Sequence, residues 1–493
     1  MAVTISLAPI QKEDFSYAQA RHLLNRAGFG GSHEQIEALV KMGPRDAVDY
    51  LVDYERIDPG QGGATVASAD PNLRRRLTRE ERMKARQARA RDDQAAMQQM
   101  RFARALNEAE DRQQMDEVVR WWLGQIISTP RPLEEKLTLL WHGHFASNYR
   151  TVRDSFLMYQ QNEFLRKNAA GSFEALAHGI VRDPAMIRFL DNNNNRKEEP
   201  NENLAREMME LFTLGEGHYT EKDIKEGARA LTGYTYRDND FEFVRGMHDG
   251  GEKTILGKRG RFDGDDFVDV ILAQAHCARF ICQKLYNYFV ADLEDKPAAH
   301  ARSIINQLAT HLRRKEYELK PILRAMFLSR HFYDPAVMAA RIKSPVELIA
   351  GTLRTLRPPV RDLAYLADAS AAMGQRLFDP PSVAGWAGGR SWINTATLFV
   401  RQNTMTYLLT GKLPFRDGWT PDAIGYDPLL LVAGLESVDA SVDHVLRLAI
   451  GEQLPAQRRE QLLAYVNQRG GSNAENMLNL LMLVTTTPEY QLC

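Results

Sequence analysis

Apolar residues along this chain recur mostly at three- and four-residue intervals, the spacing that gathers them on one face of an α-helix. In PLEEKLTLLWHGHF, Leu133, Leu137, Leu140, Trp141 and His144 share such a face, and the pattern returns in FEALAHGI, AMIRFL, DFVDVILAQAHCARFICQKLYNYFV, SPVELIAGTLRTL, LLAYV and ENMLNLLMLV. Helix punctuation agrees. Ser32 with Gln35 forms a capping-box pattern for a helix through Val40, Gly43-Pro44 breaks it, and Ala47, Val48, Leu51 and Val52 resume the period. Ser172 is placed to cap one helix, Asp183-Pro184 supplies a cap and an N1 proline to another, and Thr220 with Asp223 opens a third whose stripe ends at Gly233. The segment DFEFVRGMHDGGEKTILGK instead alternates about His248-Asp249-Gly250-Gly251, which predicts a β-hairpin. The expected fold is mainly α, a large multi-helix domain with a small β-hairpin insertion near residues 240–257.

Three regions follow from this pattern. Residues 1–55 read as an N-terminal helical hairpin packed on the main body, 56–118 as a flexible connector and a charged helix, and 119–493 as the main helical domain carrying the candidate site. The connector is expected from the Gly, Ala, Ser and Asp composition between Pro59 and Asn72. The run RRRLTREERMKARQARARDDQAAMQQM could be a nucleic-acid arm, but Glu80, Glu81, Asp92 and Asp93 interrupt its charge and it has no aromatic residue to stack on a base. A solvated helix is the expectation.

Charge and cysteine content narrow the picture further. With 63 basic and 64 acidic residues the formal charge is -1, which gives no global field for nucleic acid or an anionic membrane. No segment approaches the ~20 apolar residues of a membrane span. The start, MAVTISLAPIQKEDFSYAQ, has neither the basic nor the apolar region of a signal peptide. Cys277, Cys282 and Cys493 form no CxxC pair, so neither a disulfide framework nor a cysteine zinc site is implied. A cytoplasmic protein is expected.

Candidate chemistry gathers in LDNNNNRKEEPNENLAREMMELFTLGEGHYT. If residues 203–214 form one helix, Leu204, Met208, Leu211 and Phe212 face the core while Asn203, Arg206, Glu207 and Glu210 line an adjacent ridge. Carboxylates held close together or beside Arg acquire different proton affinities, as an acid/base pair requires. Glu207, nearest the apolar stripe, is the first candidate for acid/base work, with Glu210 or Asp191 as the partner carboxylate. Asn201, Asn203 and Arg206 are candidates to orient a substrate. The structural alternative is an ion-pair ladder, Glu202 to Arg206 to Glu210.

Two further groups carry possible function. His142 and His144 flank Gly143, and with His218 they suggest a site for a divalent transition metal. An unbroken helix, however, would point rings two residues apart in opposing directions, with His144 in the core and His142 at the surface. Trp386 and Trp392, on a loop rich in glycine and proline, could stack on sugar rings or form a buried turn whose Asn394 caps the next helix. There is no GxSxG, phosphate loop, complete zinc-protease motif or Glu-x-x-His pair.

Taken together, WHGHF, DPAMIRFLDNNNN, PNENLAREMMELFTLGEGHYTEKDIKEGARALTGY, KSPVELIAG, PPSVAGWAGGRSWIN and the terminal TPEYQLC resemble a widespread bacterial family of unknown function, DUF1800, in the family's own order from HLLNRAGFG onward. The resemblance implies no catalytic set. It does imply a genomic setting beside sulfatase-like proteins, hence a role in envelope or polysaccharide biology. The leading expectation is a hydrolase acting on a carbohydrate or similar polyhydroxylated polymer. The alternatives are a metalloenzyme that draws His142, His144 and His218 together with Glu207 or Glu210 around one or two ions, or a non-enzymatic partner or maturation factor of a sulfatase-like protein.

Overall fold

Local punctuation fixes the helix starts. In the computed structural model, which describes every residue except 1–2, 4, 60–68, 76–77, 294–296, 339, 413–424 and 452–453, Ser32 closes its capping box on Gln35 and opens His33–Met42. Gly43, at φ +80, turns the chain into Pro44–Val52. Thr220 with Asp223 opens Glu221–Ala230, and Asn394 caps Thr395–Thr410. The fold is mainly α: 22 α-helices and two small two-stranded antiparallel sheets among the described residues. None of these helices is long and apolar enough to cross a membrane.

One buried cluster runs from Ile10 to Tyr490. Leu51 and Val52 of the N-terminal helices belong to it together with Trp122 and Trp141. Ion pairs seal that seam at the surface, with Arg324 holding Asp49 at 2.7 Å and Asp53 at 2.6 Å. The charged stretch forms a helix, Arg79–Ala90, capped by Thr78, and then a 35-residue helix, Gln94–Ser128. The first half of the long helix exposes Phe102 and Leu106, while Met115, Val118, Trp122 and Ile126 enter the core. Most of the connector expected between Pro59 and Asn72 lies outside the described residues.

The β-structure departs from expectation in its pairing. Tyr234–Arg237 pairs with Asp240–Phe243, and Lys253–Ile255 pairs with Lys258–Gly260. His248-Asp249-Gly250-Gly251 therefore joins two hairpins instead of turning one. The turns fall at Asp238-Asn239 (φ 49 and 72) and Leu256-Gly257 (φ 46 and 78), where both central residues take the left-handed conformation of a two-residue hairpin loop.

A second departure lies in the carboxylate-rich segment. Residues Asn203–Glu207 are α-helical, but Met208–Thr213 opens into a π-helical turn. Leu214 N–H reaches back to Met209 O at 2.9 Å, and the Thr213 hydroxyl donates to Met208 O at 2.5 Å. The widened turn takes Glu210 out of line with Arg206, so the expected Arg206–Glu210 step is absent. Arg206 instead holds Glu202 at 3.0 Å and Glu221 at 2.8 Å.

Candidate functional site

The polar loop before this segment is held by two asparagines. Asn192 and Asn195 are buried, and their amides donate to Leu231 O, Tyr234 O and Ala228 O. Asn195 Oδ1 accepts the Asn201 N–H at 2.9 Å, and Asn201 Oδ1 accepts that of Asn203 at 3.0 Å. Asp191, at φ +58, accepts from Asn194 Nδ2 at 2.7 Å. The side chains of Asp191, Asn201 and Arg206 are thus engaged in local turns and surface pairs, and Asn203 joins them through its backbone N–H.

Beyond them the π-helical turn delivers Glu210 to an open cleft of about 740 Å³. The Tyr219 hydroxyl donates to Glu210 Oε2 at 2.7 Å and fixes its orientation. His218 lies in the same cleft, stacked on His276 with ring centroids 3.7 Å apart. Burial, then the neighbouring His276 and Arg279, lower the His218 pKa. Glu207 does not line this space. Burial first, and Glu210 second, raise its pKa, with Arg206 opposing.

The opposite wall of the cleft is a helix face that sequence reading passed over. In Ala275–Phe289 the residues His276, Arg279, Gln283, Lys284 and Asn287 fall at i, i+3, i+7, i+8 and i+11 and all line the cleft. This polar stripe on an otherwise apolar helix was the available signal. Lys284 and Asn287 also line a second lobe of about 260 Å³, so the two lobes adjoin there.

That second lobe contains His144, Asp292, Arg341, Glu347, Trp386 and Trp392. Its walls meet through glycine. A Cβ on Gly385 (φ +79) would lie 2.1 Å from Gly143 O, and the Trp386 ring packs over Gly143. The tryptophan loop and WHGHF are therefore complementary halves of one contact. Below them Lys136 binds Glu347 at 2.5 Å, and Arg341 stands 3.6 Å from Glu347 and 3.5 Å from Asp292. Burial opposes ionisation of Glu347, but Lys136 and Arg341 outweigh it and hold the carboxyl well below its usual range.

The histidines do not converge as a metal site. His142 is 1 % exposed, not at the surface as expected, because the loop carrying Trp386 covers it together with Trp122 and Phe378. Neither of its ring nitrogens has a hydrogen-bond partner, and burial pushes its pKa down to about 3. His144 Nε2 contacts Phe212 O at 2.9 Å. Since a carbonyl only accepts, that nitrogen carries the proton and Nδ1 is left as a buried lone pair without a partner. Burial, reinforced by Lys284, brings the His144 pKa to about 3 against the bond to Phe212.

Among the described residues, the group with three ligand atoms within 4.8 Å of one another is Glu174, His178 and Asp269. His178 there already faces Asp265 and Asp269. It contains none of the three histidines singled out from sequence.

The family model described as "Protein of unknown function (DUF1800)" matches residues 22–492. No curated protein and no solved structure matches the chain.

Proposed function

For a chain that belongs to the DUF1800 family, we propose a hydrolase that cleaves a carbohydrate or similar polyhydroxylated chain bound along the two-lobed cleft. The observation that carries this reading is convergence: Glu210 and His218 line one lobe, and His144, Trp386 and Trp392 line the lobe adjoining it. They come from three segments far apart in sequence.

Glu210, rather than Glu207, is the acid/base of this reading, since it faces the cleft and is oriented by Tyr219. Asp292 replaces Asp191 as the second carboxylate, because Asp191 does not line either lobe. In hydrolysis of a glycosidic bond, Glu210 delivers a proton to the leaving oxygen as the bond from the anomeric carbon breaks. Asp292 assists the incoming water, whose oxygen bonds that carbon and whose proton restores the balance. Trp392 is only 5 % exposed, so it supports the lobe; Trp386 is the more accessible ring. The three cysteines, free and buried, suit a cytoplasmic setting.

The test is release of reducing ends from a panel of neutral and acidic polysaccharides. Cleavage by the natural chain that falls by about 10²-fold or more in Glu210→Gln supports the reading. Cleavage that survives this substitution removes Glu210 from the mechanism.

A further inference from the structure

We propose that the cleft selects an acidic polysaccharide, seating an oxyanion of the substrate, carboxylate or sulfate ester, on Lys284 where the two lobes meet. This rests on the hydrolase reading and names its substrate class.

Lys284 is partly buried and lines both lobes. Its ammonium lies 5.1 Å from the Phe280 ring, and no described residue gives it a hydrogen bond or an ion pair. Arg279, exposed in the first lobe, is likewise without an ion pair among the described residues. In the second lobe Trp386 Nε1 is a buried donor that lacks a hydrogen-bond acceptor, and Arg341 Nε faces only Asp292, 3.5 Å away.

The carboxylates lining the same space do not answer Lys284. Glu210 accepts from Tyr219, Glu347 is held by Lys136 and Arg341, Asp292 stands beside Arg341, and Glu216 is exposed. A cation withdrawn from water without a counter-charge is unfavourable in the free protein. Burial accordingly lowers the Lys284 pKa. A neutral sugar could satisfy the tryptophan N–H through its hydroxyls, but it would bring no charge to an ammonium that no described carboxylate pairs. An oxyanion supplies both the charge and the acceptor oxygens.

Calorimetric titration of the full chain tests this, using a galacturonate trimer, its neutral methyl ester, a sulfated neutral oligosaccharide and inorganic sulfate as probes. At least one of the two acidic oligosaccharides is expected to bind saturably and more weakly as salt rises, and which one binds identifies the oxyanion. Lys284→Met should weaken it at least about tenfold while Lys284→Arg retains it. The Tm of Lys284→Met should equal or exceed that of the natural chain, which separates lost binding from lost folding.

Equal binding of the methyl ester, unchanged binding by Lys284→Met, tighter binding of inorganic sulfate than of either oligosaccharide, or no binding of any probe would overturn the proposal. Cleavage of neutral chains that needs Glu210 but not Lys284 would sink this inference and leave the hydrolase standing. Acid binding at Lys284 without any Glu210-dependent cleavage would do the reverse.

Discussion

Two glycines set the second lobe, and they do so differently. Gly385 combines a left-handed backbone with a carbonyl where its Cβ would stand, whereas a Cβ on Gly143 would meet the Trp386 ring at 3.4 Å, an ordinary contact. Gly385→Ala should therefore destabilise the protein by at least about 2 kcal/mol, while Gly143→Ala should be tolerated, since alanine favours the helix by roughly 1 kcal/mol. Paired urea titrations check this, and equal losses would contradict the assignment. A second residue-scale expectation concerns His142. Its folded pKa of about 3 lies below the ordinary value of 6.5 because the ring is buried. Between those values the unfolded chain binds the proton, so this residue's contribution is complete above about pH 6.5 and is lost as pH falls, by up to about 1.4 kcal/mol per unit. His142→Leu should flatten that acid loss, measured as urea midpoints at pH 7, 5 and 4; an unchanged slope would mean that burial of His142 is not its source. The residues WHGHF and AGWAGG were legible as unusual, but their partnership was not, because close approach between distant segments leaves no local period.

At the scale of elements, the capping residues and helix stripes could be read directly, since each cap satisfies its helix within three or four residues. The π-helical turn could not. Nothing in EMMELFT distinguishes it from an α-helix; in the fold the Thr213 hydroxyl bonds Met208 O within the turn, and Met208, Met209 and Phe212 are buried in the core. That one turn moved Glu210 from a surface ladder to the cleft. Thr213→Val keeps the shape and removes the hydroxyl; it should cost about 1 kcal/mol in stability and reduce turnover further by misplacing Glu210. Urea midpoints and cleavage rates for this variant check the claim, and unaltered cleavage would show that the hydroxyl does not position the carboxylate. In the hairpin region the sequence pattern predicts the kind of structure that forms but not its strand partners. The alternation fitted strands on both sides of His248, but two-residue turns at 238–239 and 256–257 gave each strand a nearer mate.

Across the whole molecule, the cleft depends on a buried charge group that joins distant helices. Lys136 of Pro132–His144 binds Glu347 of Pro345–Leu356, across 211 positions of sequence, with Arg341 beside them. Glu347→Gln would strand Lys136, which is fully buried, and should cost about 3–5 kcal/mol; the double variant Lys136→Met, Glu347→Leu should recover much of that loss. A double-mutant cycle in urea measures it, and additive losses would contradict the coupling. Helical class was legible because periodicity is local, whereas the site assembled through this long-range packing. Hence Glu207 and Asp191 looked suitable in sequence but do not line the cleft, and the Lys284 face was missed. The most direct measurement is the rate of reducing-end release by Glu210→Gln, Glu207→Gln and Asp191→Asn side by side on one cleaved polysaccharide. The account predicts a fall of about 10²-fold or more for Glu210→Gln alone. Near-natural cleavage by Glu210→Gln, or a larger loss in Glu207→Gln, would contradict it.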